Sequence, residues 1–315
     1  MRKTIAIDLG GTKALGAVFS PQGEILTSKN VYLRGASGEA AGDLVLGLID
    51  ELESACPEGK VVAVGICVPG IAYQDSGCVW APNIPGWDHY PLRERIRNKM
   101  GEGVHVRIES DRTCYILGET WKGAAKGSRN AIYMAVGTGI GAGIISEGRV
   151  LRGSGDIAGA IGWMGLECPF REDFVQTGCF ESYASGNGIG QRLREAVLAA
   201  PEYSGVLSRK PVSELTSYDA FEYYDSDPLA RAVLDKAVVM WGMAAANLAS
   251  LLDPEIIVFG GGVFGPAARF LDRIREEACK WGQPIVMKKL RFAVSELPGE
   301  AALFGAARLV AEESV

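Results

Sequence analysis

The sequence predicts an α/β protein of two related domains with a cleft between them. Three observations predict it. The 315 residues suit about two domains. Two glycine-rich stretches, Asp8-Leu9-Gly10-Gly11-Thr12-Lys13 and Gly137-Thr138-Gly139-Ile140-Gly141-Ala142-Gly143, are each fused to apolar, strand-like runs. The two halves also share a plan of hairpin, glycine turn, then strands and helices.

In the first half, residues 3–8, 14–20 and 24–32 read as strands, with Pro21-Gln22-Gly23-Glu24 as a turn. This hairpin start differs from the βαβ opening of a Rossmann domain. Leu44, Leu46, Leu48, Ile49 and Leu52 fit a helix over residues 40–55. Residues 60–68 form a strand ended by Pro69-Gly70, 91–100 a polar helix, 104–110 a strand and 113–123 a helix. His105 lies in the alternation of its strand and reads as structural.

In the second half, residues 130–145 form a hairpin and 153–180 an irregular stretch. Leu193, Ala196, Val197 and Leu198 give residues 182–199 an apolar helical stripe. Residues 203–212 are loop-like. A long helix spans 227–252 and stops at Asp253-Pro254. A strand at 255–259 leads into Gly260-Gly261-Gly262, and helices follow at 267–280, with Pro266 at its start, and at 301–312.

Glycines let the backbone approach an anion and offer it N–H groups, and Thr12 and Thr138 each add a hydroxyl donor. Neither loop is a Walker A sequence, and the second, with strand on both sides, does not fit the dinucleotide fingerprint G-x-G-x-x-G. Each reads as a hairpin tip. Hairpins favour glycine for steric reasons alone, so a plain turn competes with a phosphate cradle at either loop. The pair favours a nucleotide phosphate tail held from both sides.

Composition narrows the function. Net charge is −6, which argues against a nucleic-acid surface. A strand begins almost at Met1, leaving no room for a signal peptide, and the uncharged run 237–252 is short for a bilayer and contains Asn247 and Ser250. A cytoplasmic location is expected, with no membrane partner. Seven cysteines without a C-x-x-C pair read as free thiols. His89 and His105 are the only histidines and neither sits beside a carboxylate or cysteine at ligand spacing, against a Ser-His-Asp or Cys-His hydrolase.

Asp111 is the best candidate for an acid–base group, because it stands just past a strand where the chain turns into a helix, and ligands collect at such strand ends. An N-cap is the competing role. Asp8 ends a strand beside the first glycine loop, where a carboxylate can hold the magnesium that travels with ATP, often through water. A turn carboxylate is its alternative. Lys13 could neutralise phosphate charge or simply be solvated.

These segments resemble the ROK family (repressors, open reading frames and sugar kinases). Residues 8–13 resemble its first phosphate motif, and Val68-Pro69-Gly70 with Ala81-Pro82-Asn83-Ile84-Pro85-Gly86-Trp87 its sugar-side segment. Ser110-Asp111-Arg112-Thr113 resembles the segment of its catalytic aspartate, and residues 137–143 its second phosphate motif. Residues 178–186, with Glu181, resemble its post-zinc segment, Gly260-Gly261-Gly262-Val263 its adenosine motif, and residues 299–307 its closing helix.

The resemblance implies a two-domain actin-like ATPase (ribonuclease H-like) fold. The expected domains are residues 1–118 with 300–315, and residues 119–299. It implies phosphoryl transfer from ATP, with Mg2+, to a hexose hydroxyl, with Asp111 as base and a homodimer as the assembly. Phosphate contacts fall to Asp8, Gly10, Gly11, Thr12, Lys13, Gly137, Thr138, Gly139, Gly260, Gly261 and Gly262. Sugar contacts fall to Asn83, Ser110, Asp111, Trp163 and Glu181. The repressor branch carries a DNA-binding extension before the first motif, and only seven residues precede Asp8 here.

The departures sit at the acceptor side. Where the family has Gly-Glu-x-Gly-His, this chain has Gly159-Ala160-Ile161-Gly162-Trp163. Where it has Cys-x-Cys-Gly-x-x-Gly-Cys, residues 172–179 keep only Cys179, and no structural zinc is expected. Ser110 replaces the asparagine before the catalytic aspartate, and Thr113 the one after it. An altered sugar, or a non-catalytic sugar- or nucleotide-binding regulator, is the alternative these losses raise.

Overall fold

Alternation along two strands decides the layers of the first half. Ile5, Ile7 and Leu9 of β1 (Arg2–Leu9) enter one apolar cluster, while Ala6 between them enters another on the opposite face. The structure, a computed structural model, describes residues 2–311. It divides into two units. The first is the chain up to Gly127, Val150–Ala158 and the chain from Glu296 on; the second is Ser128–Arg149 with Gly159–Ser295.

In the first unit, β1 pairs antiparallel with β2 (Lys13–Phe19), which pairs antiparallel with β3 (Ile25–Tyr32). On its other side β1 runs parallel to β4 (Lys60–Val68), giving the order β3-β2-β1-β4-β7 with β7 (His105–Ser110). A two-stranded ribbon, β5 (Ile71–Ala72) and β6 (Val79–Trp80), stands beside it. Helix α1 (Gly38–Ala55) buries Val45, Leu48, Ile49 and Leu52 on one face of the sheet, and Ile96 of α2 (Leu92–Met100) joins the same cluster.

The opposite face carries α3 (Asp111–Lys122) and the last helix, Ala301–Ala311, numbered α11 by its place in the chain. These two helices pack through glycines. A Cβ on Gly118 would lie 2.2 Å from the Ala301 carbonyl oxygen, and one on Gly305 1.8 Å from that of Cys114. The final helix therefore belongs to the first unit. Residue 312, its predicted end, lies outside the described residues.

The second unit repeats the plan. β8 (Ala131–Val136) and β9 (Ile140–Ser146) form an antiparallel hairpin, and β10 (Arg149–Val150) extends it. On the other side β8 runs parallel to β11 (Ile256–Gly260), which runs parallel to β12 (Arg291–Val294). Both sheets are thus an antiparallel meander continued by two parallel strands.

The predicted irregular stretch holds a 3-10 turn, Ile161–Trp163, and the short helix α4 (Phe174–Thr177). The single helix predicted at 182–199 is two: α5 (Glu181–Ala184) and α6 (Gly186–Leu198). Ser185 breaks them, because its extended backbone N-caps α6 and its hydroxyl accepts the Gly188 N–H. Helix α7 (Ser217–Glu222) follows, then α8 (Pro228–Leu252), capped by Asp227. Helix α8 is long and apolar enough for a membrane span by composition, yet Leu234, Trp241, Ala245 and Leu248 are buried in this unit. Helices α9 (Leu271–Trp281) and α10 (Pro284–Lys289) complete it.

Candidate functional site

The first unit gathers Asp8, Gly10, Gly11, Thr12, Lys13, Asn83, Ser110 and Asp111. The first glycine loop is the turn between β1 and β2. The Gly10 N–H donates to the Lys13 carbonyl at 2.8 Å, and the Leu33 N–H to that of Thr12 at 2.8 Å. Gly11 has no room for a side chain: a Cβ there would sit 2.8 Å from the Asn83 Cβ. The turn that carries Asn83 is closed by the Ile84 N–H donating to the Ala81 carbonyl at 3.0 Å and the Ala81 N–H to that of Trp87 at 2.8 Å, and Trp87 stacks on Tyr90 at 4.4 Å.

Strand register places the carboxylates. Asp8 on β1 is the partner of Cys67 on β4, and Cys67 that of Glu109 on β7. Paired residues of adjacent parallel strands point to the same face. Burial raises the Asp8 pKa, opposed by a hydrogen bond from Cys67 and by the Lys13 charge. Glu109 is 5% exposed and paired with Arg152, whose Nε donates to it at 2.6 Å. Burial raises the Glu109 pKa, and the Arg152 charge opposes that rise.

Asp111 is not the cap of α3. That role belongs to Ser110, whose hydroxyl accepts the Thr113 N–H at 3.3 Å and donates to the Thr113 hydroxyl at 3.1 Å. Asp111 is the first helical residue, and its Oδ1 accepts the Arg112 N–H at 2.8 Å. It keeps some solvent contact. Desolvation nevertheless pushes its carboxyl up to about 6; Arg112 opposes the rise and the Asp8 charge adds to it. A carboxyl near 6 can take a proton from a hydroxyl group at neutral pH.

The second unit gathers Gly137, Thr138, Gly139, Trp163, Glu181, Gly260, Gly261 and Gly262. The second glycine loop is the β8–β9 turn, and it rests on the start of α6 through the Gly186 N–H, which donates to the Gly137 carbonyl at 2.8 Å. Gly261 follows β11 with φ +90°, and a Cβ there would meet the Val136 carbonyl oxygen at 2.5 Å. A cavity of about 670 Å3 opens here, lined among others by Thr138, Asn187, Arg194, Ser217, Tyr218 and Gly262. Sequence reasoning missed Arg194, Ser217 and Tyr218. The signal was present in Thr216-Ser217-Tyr218-Asp219, a capping box realised at the start of α7.

Glu181 opens α5, and its carboxylate accepts the Ile140 N–H at 2.6 Å. Burial raises its pKa and that bond opposes the rise. Gly139 and Gly162 both leave it room, since a Cβ on either would lie within 2.9 Å of a Glu181 oxygen. Trp163, next to Gly162, is 57% exposed.

The sequence pattern of the ROK family matches residues 4–313. The chain is 30% identical to a glucokinase of Halalkalibacterium halodurans, over 98% of this chain and 95% of that one. It is 28% identical to an N-acetyl-D-glucosamine kinase of Escherichia coli, over 81% and 82%. Among solved structures it resembles a ROK family glucokinase from Streptomyces griseus in complex with glucose and AMPPNP. That match has a TM-score of 0.73 and 29% identity and covers 98% of both chains. The α/β fold is that of these kinases, the actin-like ATPase fold.

Proposed function

The chain belongs to the ROK family, and on that premise we propose that it is a kinase transferring the γ-phosphate of ATP to a hexose hydroxyl. The observation that carries this reading is Asp111, a desolvated carboxyl raised to about 6 at the head of α3, beside Asp8 and the first glycine turn. Relatives that are glucokinases and an N-acetyl-D-glucosamine kinase support the reaction class.

Asp111 accepts the proton of the acceptor hydroxyl as its oxygen attacks the γ-phosphorus. The bond to the bridging oxygen breaks and ADP leaves. On this reading phosphate oxygens are taken by the backbone N–H groups of Gly11 and Thr12 in the first unit and of Thr138 and Gly139 in the second, with the hydroxyls of Thr12 and Thr138, since the Gly10 and Gly137 N–H groups are spent inside their own turns. Lys13 adds a positive charge, and Gly260, Gly261 and Gly262 border the adenosine. Asn83, Asp111, Trp163 and Glu181 meet the sugar, while the Ser110 hydroxyl, bonded to Thr113, orients Asp111 by capping its helix.

Magnesium fits this donor set. The Asp8 charge opposes ionisation of Asp111, and a divalent cation relieves such repulsion. Asp8, through water, would hold it, and the ion would neutralise phosphate charge. Zinc does not fit: the segment offers buried Cys179 and exposed Cys168 with no histidine.

A coupled ADP-release screen over hexoses, amino sugars and polyols tests the proposal. Turnover with one of them, lost in Asp111→Asn while ATP affinity holds, is expected. No turnover with any sugar under conditions where ATP binds would overturn it. Ala160 and Trp163 favour one second reading, a sugar-binding regulator. A sugar-dependent thermal shift without phosphorylation would establish that instead.

A further inference from the structure

The segment before Glu181 is irregular and solvent-facing, with Phe170 66% and Val175 60% exposed. Such a segment does not hold a shape by backbone bonding alone. Its fastening converges on one ring, that of Tyr183 in α5, two residues from Glu181. Phe174 of α4 packs against it at 6.0 Å, and Phe170 meets Phe174 edge-on at 5.9 Å. The Arg192 guanidinium of α6 lies over the same ring at 4.9 Å, and the Lys236 ammonium of α8 at 5.8 Å.

Both cations also bind the segment. Arg192, only 8% exposed, donates to Asp173 at 2.7 Å and forms an ion pair with Glu195. Arg171 grips the same Asp173 carboxylate through two bonds, of 2.9 and 3.0 Å. Lys236 pairs with Glu167. The Asp173 carboxyl is held down to about 2, chiefly by the Arg171 bonds and also by Arg192. Trp241 of α8 completes the hold on α5 by donating to the Ala184 carbonyl at 3.1 Å.

We infer that this cluster, with Arg192 at its hub between Asp173 and Tyr183, is a metal-free clasp that positions Glu181. Phe174 lies within 172–179, the stretch that departs from the cysteine pattern of the family it resembles, and its ring is buried. The two nearby carboxylates are engaged by cations of this chain, Asp173 by Arg171 and Arg192 and Glu167 by Lys236. Arg192 is a positioning residue. It acts on Glu181 through the Tyr183 ring of the same helix, α5. The inference rests on the kinase reading only for the role of Glu181.

Three measurements on the full chain test it. Elemental analysis should find less than stoichiometric zinc, and a chelator should leave amide exchange across residues 161–181 unchanged. Arg192→Met should speed that exchange about tenfold while strands β8 and β11 hold, and Arg192→Lys should restore part of the protection. In turnover, Arg192→Met should raise the KM for sugar about tenfold and that for ATP less than threefold, as expected for one charged bond. One zinc per chain, removed together with the order of 161–181, would overturn the clasp. So would unchanged exchange and an unchanged sugar KM in Arg192→Met. If the wild-type chain turns over no sugar, the kinase reading fails while the exchange measurement still decides the clasp.

Discussion

The Glu181 carboxylate accepts the Ile140 N–H at 2.6 Å, so the head of α5 is bonded directly to the end of the second glycine turn. One side chain therefore ties a predicted sugar contact to the residue that follows the predicted phosphate contacts Gly137, Thr138 and Gly139. Glu181→Ala should raise the KM for sugar by ~10- to 100-fold, the range for losing a charged hydrogen bond, and raise that for ATP as well. Glu181→Gln keeps an oxygen for Ile140 and should shift only the sugar term. Steady-state kinetics in both substrates check this.

Asp111 should set the acid limb of activity. Below about pH 6 its carboxyl holds a proton, so kcat/KM should fall about tenfold per pH unit there. A pH–rate profile flat from 7 to 5 would remove Asp111 from the proton transfer.

The same carboxyl should cost stability. Its folded pKa is raised from the ordinary 3.8 to about 6, so its contribution is full below the unfolded pKa and lost as pH rises through the folded one. That loss is at most about 3 kcal/mol above pH 6, at ~1.4 kcal/mol per unit. Asp111→Asn should therefore be inactive yet more resistant to urea at pH 7.5, with little gain at pH 4. A variant less stable at both pH values would contradict the assignment.

Glu109 depends on Arg152. Removing the guanidinium strands a carboxylate that is 5% exposed. Arg152→Met should cost about 2 kcal/mol or more, and adding Glu109→Gln should recover much of it. Urea unfolding of the four proteins in the cycle measures the coupling.

Gly305→Ala should cost about 1–3 kcal/mol, because the new methyl would press on the Cys114 carbonyl and force α11 away from α3. Thermal unfolding reports this, and a neutral result would mean that the helices can separate freely.

Much of this arrangement was legible in the chain. The glycine loops fall on hairpin turns because Gly10 and Gly137 follow runs, Thr4-Ile5-Ala6-Ile7 and Ala131-Ile132-Tyr133-Met134, that pair well as strands. Asp111 was legible from its place after β7. Its raised pKa was not, because desolvation depends on residues distant in sequence. The sequence offers the cap as an alternative role for Asp111, and the structure gives it to Ser110, since both residue types suit it and only backbone geometry separates them. The strand at 291–294 gave little signal: it is short and only partly buried, and parallel pairing with β11 defines it. Nothing in the sequence singles out Arg192, whose partners Asp173 and Tyr183 meet it only in space.

The return of α11 to the first unit fixes an order of assembly. Ala302, Leu303, Ala306 and Ala307 complete the cluster around Ala6, Ala17 and Phe19, yet they leave the ribosome after every residue of the second unit. During synthesis the later-encoded unit can close while the earlier one still lacks half of the helical layer on one face. The nascent first sheet waits with that face covered by α3 alone, and exposed apolar surface in such an interval favours aggregation.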